Sequence, residues 1–265
     1  MVTPDSIERI VFVGAGNIAT HLAAALHGAG YDIAQIYSRT EASAKALADR
    51  IGCAYTTQPQ KITDTGDLYV FAVSDDALAP LLDRVSAHRD ALWVHTAGSL
   101  PMSVFAGKCA RCGVLYPLQT FSKNRAMDFT EIPVFIEAGN AADADLLRRV
   151  AGRISNRVTE ISSEQRKYLH LAAVFACNFT NHLYAVAAKL LQEHGLPFDT
   201  LLPLIRETAA KVESLAPADA QTGPAVRYDR RVMQRHLDLL DDPAAQEIYR
   251  LLSQEIHRFA TEKQS

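Results

Sequence analysis

The stretch RIVFVGAGNIATHLAAALHGAG, residues 9–30, constrains the fold more than any other part of the chain. An apolar run, Ile10–Val13, leads directly into Gly14-Ala15-Gly16, and an Ala/Leu-rich helical pattern follows from Asn17. A strand, a glycine turn and a helix in immediate succession open a βαβ unit. Gly14 permits the tight turn, Gly16 lets a backbone approach a pyrophosphate, and Ala19 lets the helix pack closely on its strand. The free amides and positive dipole end of the helix then face the phosphates. Gly14, Ala15, Gly16, Asn17 and Ile18 are therefore expected to cradle a dinucleotide; the competing reading is a tight turn with no ligand.

The second strand decides which dinucleotide. A site for NAD usually carries Asp or Glu at the end of that strand, on the ribose 2′-hydroxyl. Here the place reads Tyr37-Ser38-Arg39-Thr40. A guanidinium flanked by two hydroxyls suits a 2′-phosphate, so Ser38, Arg39 and Thr40 point to NADP. Flavoproteins with this fingerprint also usually carry the acid. After the third predicted core strand, Ser74 fits an N-cap, with Asp75 and Asp76 in the first turn of a helix. The backbone of Val73 and Ser74 is expected to border the cofactor.

Further apolar runs, Asp67–Val73, Ala91–Thr96, Gly113–Phe121 and Ile132–Ala138, alternate with helical patterns in the first half. That alternation predicts a doubly wound parallel sheet. After Ile161 the character changes. Ser162 and Gln165 form a capping box, and helical pattern continues to Gly195. Three more helical stretches follow, with no strand signal. An α/β domain over residues 1–161 and an all-helical substrate or dimerisation domain over residues 162–265 are expected.

Composition narrows the function classes. Lys plus Arg number 27 against 30 Asp plus Glu, so no basic surplus favours nucleic acid or an anionic membrane. The N-terminal residues lack the features of an export signal. The longest apolar stretch, Leu169–Leu191, holds His170, Asn178, Asn181, His182 and Lys189, each costly in lipid. Four cysteines in 265 residues do not make a disulfide scaffold, and Cys109-x-x-Cys112 lacks further ligands for zinc, so no metal is expected. A cytoplasmic protein with reduced thiols follows.

Several groups are candidates for chemistry beside the cofactor. His95 ends a strand and should point toward the nicotinamide, where it can donate a proton or only hydrogen-bond the loop. Ser99, in the next loop, and Gln119 and Thr120, at the end of the strand Gly113–Phe121, are candidate substrate contacts. In the long helix, His170, Asn178 and Asn181 share one face and His182 lies beside it. Asn178 and His182 are candidate catalytic groups and Asn181 a substrate contact; an interhelical or dimer network is the other reading. Arg227, in the turn Thr222–Asp229, can clamp a carboxylate or phosphate. Asp229 can pair with it or cap the next helix.

The segments FVGAGNIATHLA, YSRT, FAVSDDAL, VHTAGSLP, YPLQTFS, HLAAVFACNFTNHLY and AQTGPAVRYD span nearly the whole chain. Together they resemble the Rossmann-like reductases related to pyrroline-5-carboxylate reductase, prephenate dehydrogenase and the F420-dependent NADP oxidoreductases. The resemblance is strongest to the branch with a DUF2520-type C-terminal domain. It implies an NADP-dependent oxidoreductase fold, a C-terminal domain like that of 6-phosphogluconate dehydrogenase, and a homodimer joined through it. The substrate motifs of pyrroline-5-carboxylate reductases and hydroxyacid dehydrogenases are absent. Of the paired histidines of prephenate dehydrogenases only His182 remains. The expected reaction is hydride transfer between NADP(H) and a small carbonyl or imine; the alternative is an NADP(H)-responsive binding protein without turnover.

Overall fold

The computed structural model describes residues 6–85 and 90–262. The first five residues, on which the absence of an export signal partly rests, lie outside the described residues. Of the described residues, those up to Cys177 form one compact unit and those from Asn178 a second.

The first unit is built on an eight-stranded sheet. Its strands are β1 (Arg9–Val13), β2 (Asp32–Tyr37), β3 (Ala54–Thr56), β4 (Leu68–Phe71), β5 (Leu92–His95), β6 (Arg111–Pro117), β7 (Val134–Ala138) and β8 (Val158–Glu160). Their spatial order is β3-β2-β1-β4-β5-β6-β7-β8. The helices are α1 (Asn17–Gly28), α2 (Glu41–Ile51), α3 (Asp75–Leu82) and α4 (Ala141–Gly152). Strand β1 pairs in parallel with β2 on one side and β4 on the other. The chain order reverses between β1 and β4, which opens a crevice at their carboxyl ends.

The strands read as continuous apolar runs because both faces of the sheet are covered. Ile10 and Phe12 pack with Leu22 and Leu26 of α1 on one side. Val11 and Val13 pack with Tyr69, Phe71 and Trp93 on the other. The period-two alternation of a strand thus divides β1 between two cores.

The structure departs from the expected sheet in three places. Strand β7 runs antiparallel to β6, because the segment joining them turns back without a crossover helix. The strand expected to run to Phe121 stops at Pro117, where the ladder loses a donor. Strands β3 and β8, three residues each, are too short to show a period in sequence. Helix α4 also escaped the pattern, since its run of Asp and Arg masks the buried stripe Ala144, Leu147, Val150 and Ala151. Buried Asp143 in its first turn accepts from Arg111 Nε at 2.8 Å and so ties the helix to β6.

Helical backbone runs from Ser163 to Glu193 as α5 (Ser163–Ala173), a wide turn (Val174–Phe179) and α6 (Thr180–Glu193). The capping box forms: Ser162 Oγ accepts from the Gln165 amide at 3.2 Å, and Gln165 Oε1 accepts from the Ser162 amide at 2.9 Å. By length and hydropathy this is a helix that can cross a membrane, but none of its apolar window is buried, and His170, Asn178, Asn181 and His182 interrupt it. A helix apolar nearly all round is expected inside a domain or at a subunit interface, and the first is not found.

The second unit adds α7 (Leu202–Ser214), α8 (Pro217–Ala220), α9 (Arg230–Asp238) and α10 (Pro243–Glu262) to α6. Lys189 of α6 pairs with Asp242 at 3.2 Å, and His236 Nδ1 lies 2.8 Å from Tyr249 Oη across α9 and α10. Asp229 caps α9 by accepting from the Val232 amide at 3.2 Å. Before it, Tyr228 adopts φ +51° and stacks on His257 at 4.4 Å.

Candidate functional site

The crevice between β1 and β4 is a cleft of about 560 Å³. Gly14 sits at its base with φ +129° and donates to the Tyr37 carbonyl at 2.8 Å. A Cβ there would run into the carbonyl of Ala72, just past β4, so the crossing of the strand ends admits only glycine. At Gly16 the reverse holds: a Cβ would meet nothing within 4 Å and would project into open space at the head of α1. The bare glycine leaves that cradle clear for a ligand's backbone-bound phosphates.

Gly14, Ala15, Gly16, Ser38, Arg39, Thr40, Val73 and Ser74, which the sequence singled out, all line this cleft. Ser43, Arg84 and Lys123 line it as well, without a sequence signal. Three cations and no carboxylate are among the lining residues. Ser74 holds the N-cap position of α3 without a side-chain cap, and Asp75 and Asp76 occupy its first turn. The donor set fits a dinucleotide bearing an extra phosphate: backbone amides at α1, and hydroxyls with guanidinium at the end of β2.

Asn17 and Ile18 do not line the cleft. The Asn17 amide instead donates to the Phe121 carbonyl at 2.9 Å, and Ile18 packs against the core. Ser99 donates to Asp75 of α3 in a short contact. Gln119 is taken up locally, its Oε1 accepting from the Thr120 amide at 2.8 Å and from the Thr120 hydroxyl at 3.3 Å.

Of the two readings of His95, the hydrogen bond to the loop is the one the structure shows. His95 is the last residue of β5 and is fully buried against Phe105. Its Nδ1 accepts from the Ala97 amide at 3.1 Å, so Nε2 carries the hydrogen. Burial first, then the nearby Arg166 guanidinium, push its pKa down to about 4. A neutral imidazole closed off from solvent is not a proton donor to a substrate at neutral pH.

Two groups without a sequence signal stand at the same edge of the sheet. Tyr116, near the carboxyl end of β6, places its hydroxyl 3.0 Å from His170 Nδ1 on α5. Burial raises the Tyr116 pKa to about 12. Gly98 makes room for this histidine; a Cβ there would lie within 2.5 Å of His170 Nδ1. Beside them Arg166 pairs with Glu137 of β7 and donates to the Leu100 carbonyl at 2.6 Å. The helical period of α5 relates Arg166 to His170, but nothing in it names Tyr116 or Glu137 as their partners.

The remaining candidates belong to the second unit. Asn178 lies in the wide turn and Asn181 and His182 on α6, all three exposed. His182 borders a hollow of about 650 Å³ with Lys189, His194 and Asp242. Arg227 is exposed beside the strained Tyr228. Among the described residues no group of three or more His, Cys, Asp or Glu side chains is placed to hold a metal.

Fold and cleft together define a dinucleotide-binding α/β unit followed by a helical one. Residues 9–97 match the family described as NADP oxidoreductase, coenzyme F420-dependent, and residues 132–256 match the domain of unknown function DUF2520. A Bacteroides fragilis protein assigned by name to the NADP oxidoreductases is 53% identical, with 96% of this chain and 99% of that one covered and a TM-score of 0.92. The chain belongs to this family of NADP oxidoreductases. A Thermotoga maritima protein shares the fold at 22% identity, with 95% of this chain and 99% of that one covered and a TM-score of 0.77. So does an imine reductase from Myxococcus stipitatus in complex with NADP+, at 18% identity, 96% and 93% coverage and a TM-score of 0.66. No curated protein sequence matches the chain.

Proposed function

We propose that the protein binds NADP(H) in the β1–β4 cleft and moves a hydride between it and a small carbonyl or imine compound. The observation that carries this reading is the end of β2, where Ser38, Arg39 and Thr40 stand in the cleft in place of a carboxylate. The B. fragilis relative, an NADP oxidoreductase by name, supports the same cofactor. When bound, the nicotinamide supplies or accepts the hydride.

The chain's part is to hold, orient and protonate. Gly14, Ala15 and Gly16 at the head of α1 would hold the pyrophosphate, and Arg39 with its neighbouring hydroxyls would hold the 2′-phosphate. As hydride reaches a substrate carbon, the attached oxygen or nitrogen needs a proton. We propose Tyr116 as the donor in place of His95: it keeps 6% exposure where His95 has none, and its hydroxyl meets His170 instead of a loop amide. Burial keeps the phenol protonated at neutral pH, and its hydroxyl is held 3.0 Å from His170 Nδ1.

Calorimetry with NADPH and NADH, followed by NADPH oxidation over a panel of keto acids, cyclic imines and semialdehydes, tests the reading. NADPH binding with turnover of a panel member supports it, and Tyr116→Phe then lowers turnover while NADPH binding holds. Binding without turnover on any member would instead favour a protein that only senses NADP(H). No heat with either nucleotide would remove the cofactor itself.

We also propose a homodimer through the helical region. On α5, Tyr168 and Leu171 are exposed, by 67% and 52%. Apolar side chains three residues apart on a helix share a face, and a second copy of the chain would cover it. A monomer by light scattering at micromolar concentration would contradict this. A cytoplasmic location fits the four free cysteines.

A further inference from the structure

We infer that Lys123 is a ligand of the cofactor pyrophosphate, brought to the glycine loop by a segment that α1 itself anchors. The inference rests on the cofactor reading above and adds a phosphate contact that the glycine motif does not contain.

Lys123 lies between β6 and β7, far from Gly14 in sequence, yet its side chain lines the same cleft. Two bonds from one face of α1 bring it there. Asn17 Nδ2 donates to the Phe121 carbonyl at 2.9 Å, and His21 Nε2 lies 2.9 Å from the Ser122 carbonyl. A carbonyl only accepts, so that histidine nitrogen carries the hydrogen. Asn17 and His21 are four residues apart and therefore on the same side of the helix. The His21 ring also stacks on Phe121 at 5.4 Å, and Phe121 packs on Phe129 at 6.2 Å. Two consecutive carbonyls are thus fixed to the first turns of α1, and the next residue is the lysine.

Position separates its role from that of Arg39. Arg39 follows β2, at the ribose end of a bound dinucleotide. Lys123 is delivered from the side of α1, whose first turn faces the pyrophosphate. One charge at each end matches a ligand with separate phosphate groups at each. The arrangement also explains why Asn17, at the head of the helix, turns away from the cleft: it holds the segment that carries the cation.

The test compares three ligands by calorimetry: NADPH, NADH and adenosine 2′-monophosphate, which has the 2′-phosphate but no pyrophosphate. Lys123→Ala is expected to weaken NADPH and NADH by the same factor, about tenfold for a charge-assisted contact, and to leave adenosine 2′-monophosphate unchanged. Arg39→Ala should weaken NADPH and adenosine 2′-monophosphate and spare NADH. Lys123→Arg should restore most of the loss. His21→Ala should weaken NADPH in the wild-type background and add little to Lys123→Ala, because both act through one contact. Unchanged dinucleotide binding in Lys123→Ala, or an equal loss of adenosine 2′-monophosphate, would overturn the inference while the cofactor reading stands. A wild-type protein that binds no dinucleotide would overturn both. A thermal unfolding midpoint for Lys123→Ala equal to wild type separates a lost contact from a lost fold.

Discussion

Arg166, in the first turn of α5, is closed off from solvent at 1% exposure and pairs with Glu137 on β7, whose side chain is 16% exposed. Ser163 Oγ donates to the same carboxylate at 2.8 Å, so two residues of the helix start hold one strand side chain. Burying such a pair gains little over an apolar one, but removing one partner strands a charge and costs about 3–5 kcal/mol. Glu137→Ala is expected to lower stability by that amount in urea unfolding. Glu137→Leu with Arg166→Met should cost less than the sum of the single changes. A loss below about 1 kcal/mol in Glu137→Ala would show that the pair holds nothing.

The buried His95 sets a pH dependence. Its folded pKa of about 4 lies below the ordinary 6.5, so the unfolded chain takes up a proton that the folded one refuses. The contribution is intact above about pH 6.5 and is lost as pH falls toward 4, by about 3 kcal/mol in all. His95→Gln should flatten that part of the stability curve between pH 7 and 4. A histidine resonance that titrates near 6.5 and vanishes in His95→Gln would contradict the burial argument.

At Gly14 both backbone and space forbid a side chain. Gly14→Ala places a methyl group on the Ala72 carbonyl and holds alanine at φ +129°. Strain of this kind costs on the order of 1–3 kcal/mol before the clash is counted. We expect a lowered unfolding midpoint and no detectable NADPH binding. Gly16→Ala, which meets nothing within 4 Å, should unfold like wild type and lose affinity alone.

Cofactor choice turns on Arg39. Arg39→Ala is expected to weaken NADPH about tenfold or more and NADH hardly at all, the difference being a charge-assisted contact to the 2′-phosphate. Equal loss of both nucleotides, measured by fluorescence titration, would move the specificity elsewhere in the cleft. Arg84 and Ser43, which line the same space, would be the next residues to change.

How much could be read in advance follows from the range of each interaction. The strand Arg9–Val13, the glycine turn, the helix after it, Arg39 in place of an acid, and the Ser162–Gln165 cap are all local. Their partners lie within a few residues, or the ligand itself dictates their order. Helix α4 and strands β3 and β8 failed because their pattern is diluted or too short to have a period. For His95 the sequence leaves two readings open. A strand end shows where a side chain emerges, but only the packing of Phe105 and Arg166 around it shows that it is sealed.

The nucleotide-binding frame of strand, turn and helix, with a cation at the second strand, is written in the local sequence, because backbone stereochemistry fixes each part over a few residues. Tertiary structure alone decided the rest of the chemistry. It brought Lys123 to the glycine loop through Asn17 and His21, set Tyr116 against His170, and buried Arg166 on Glu137. Those pairs join residues that the chain keeps far apart, and no local period records which distant side chain will be met when the sheet closes.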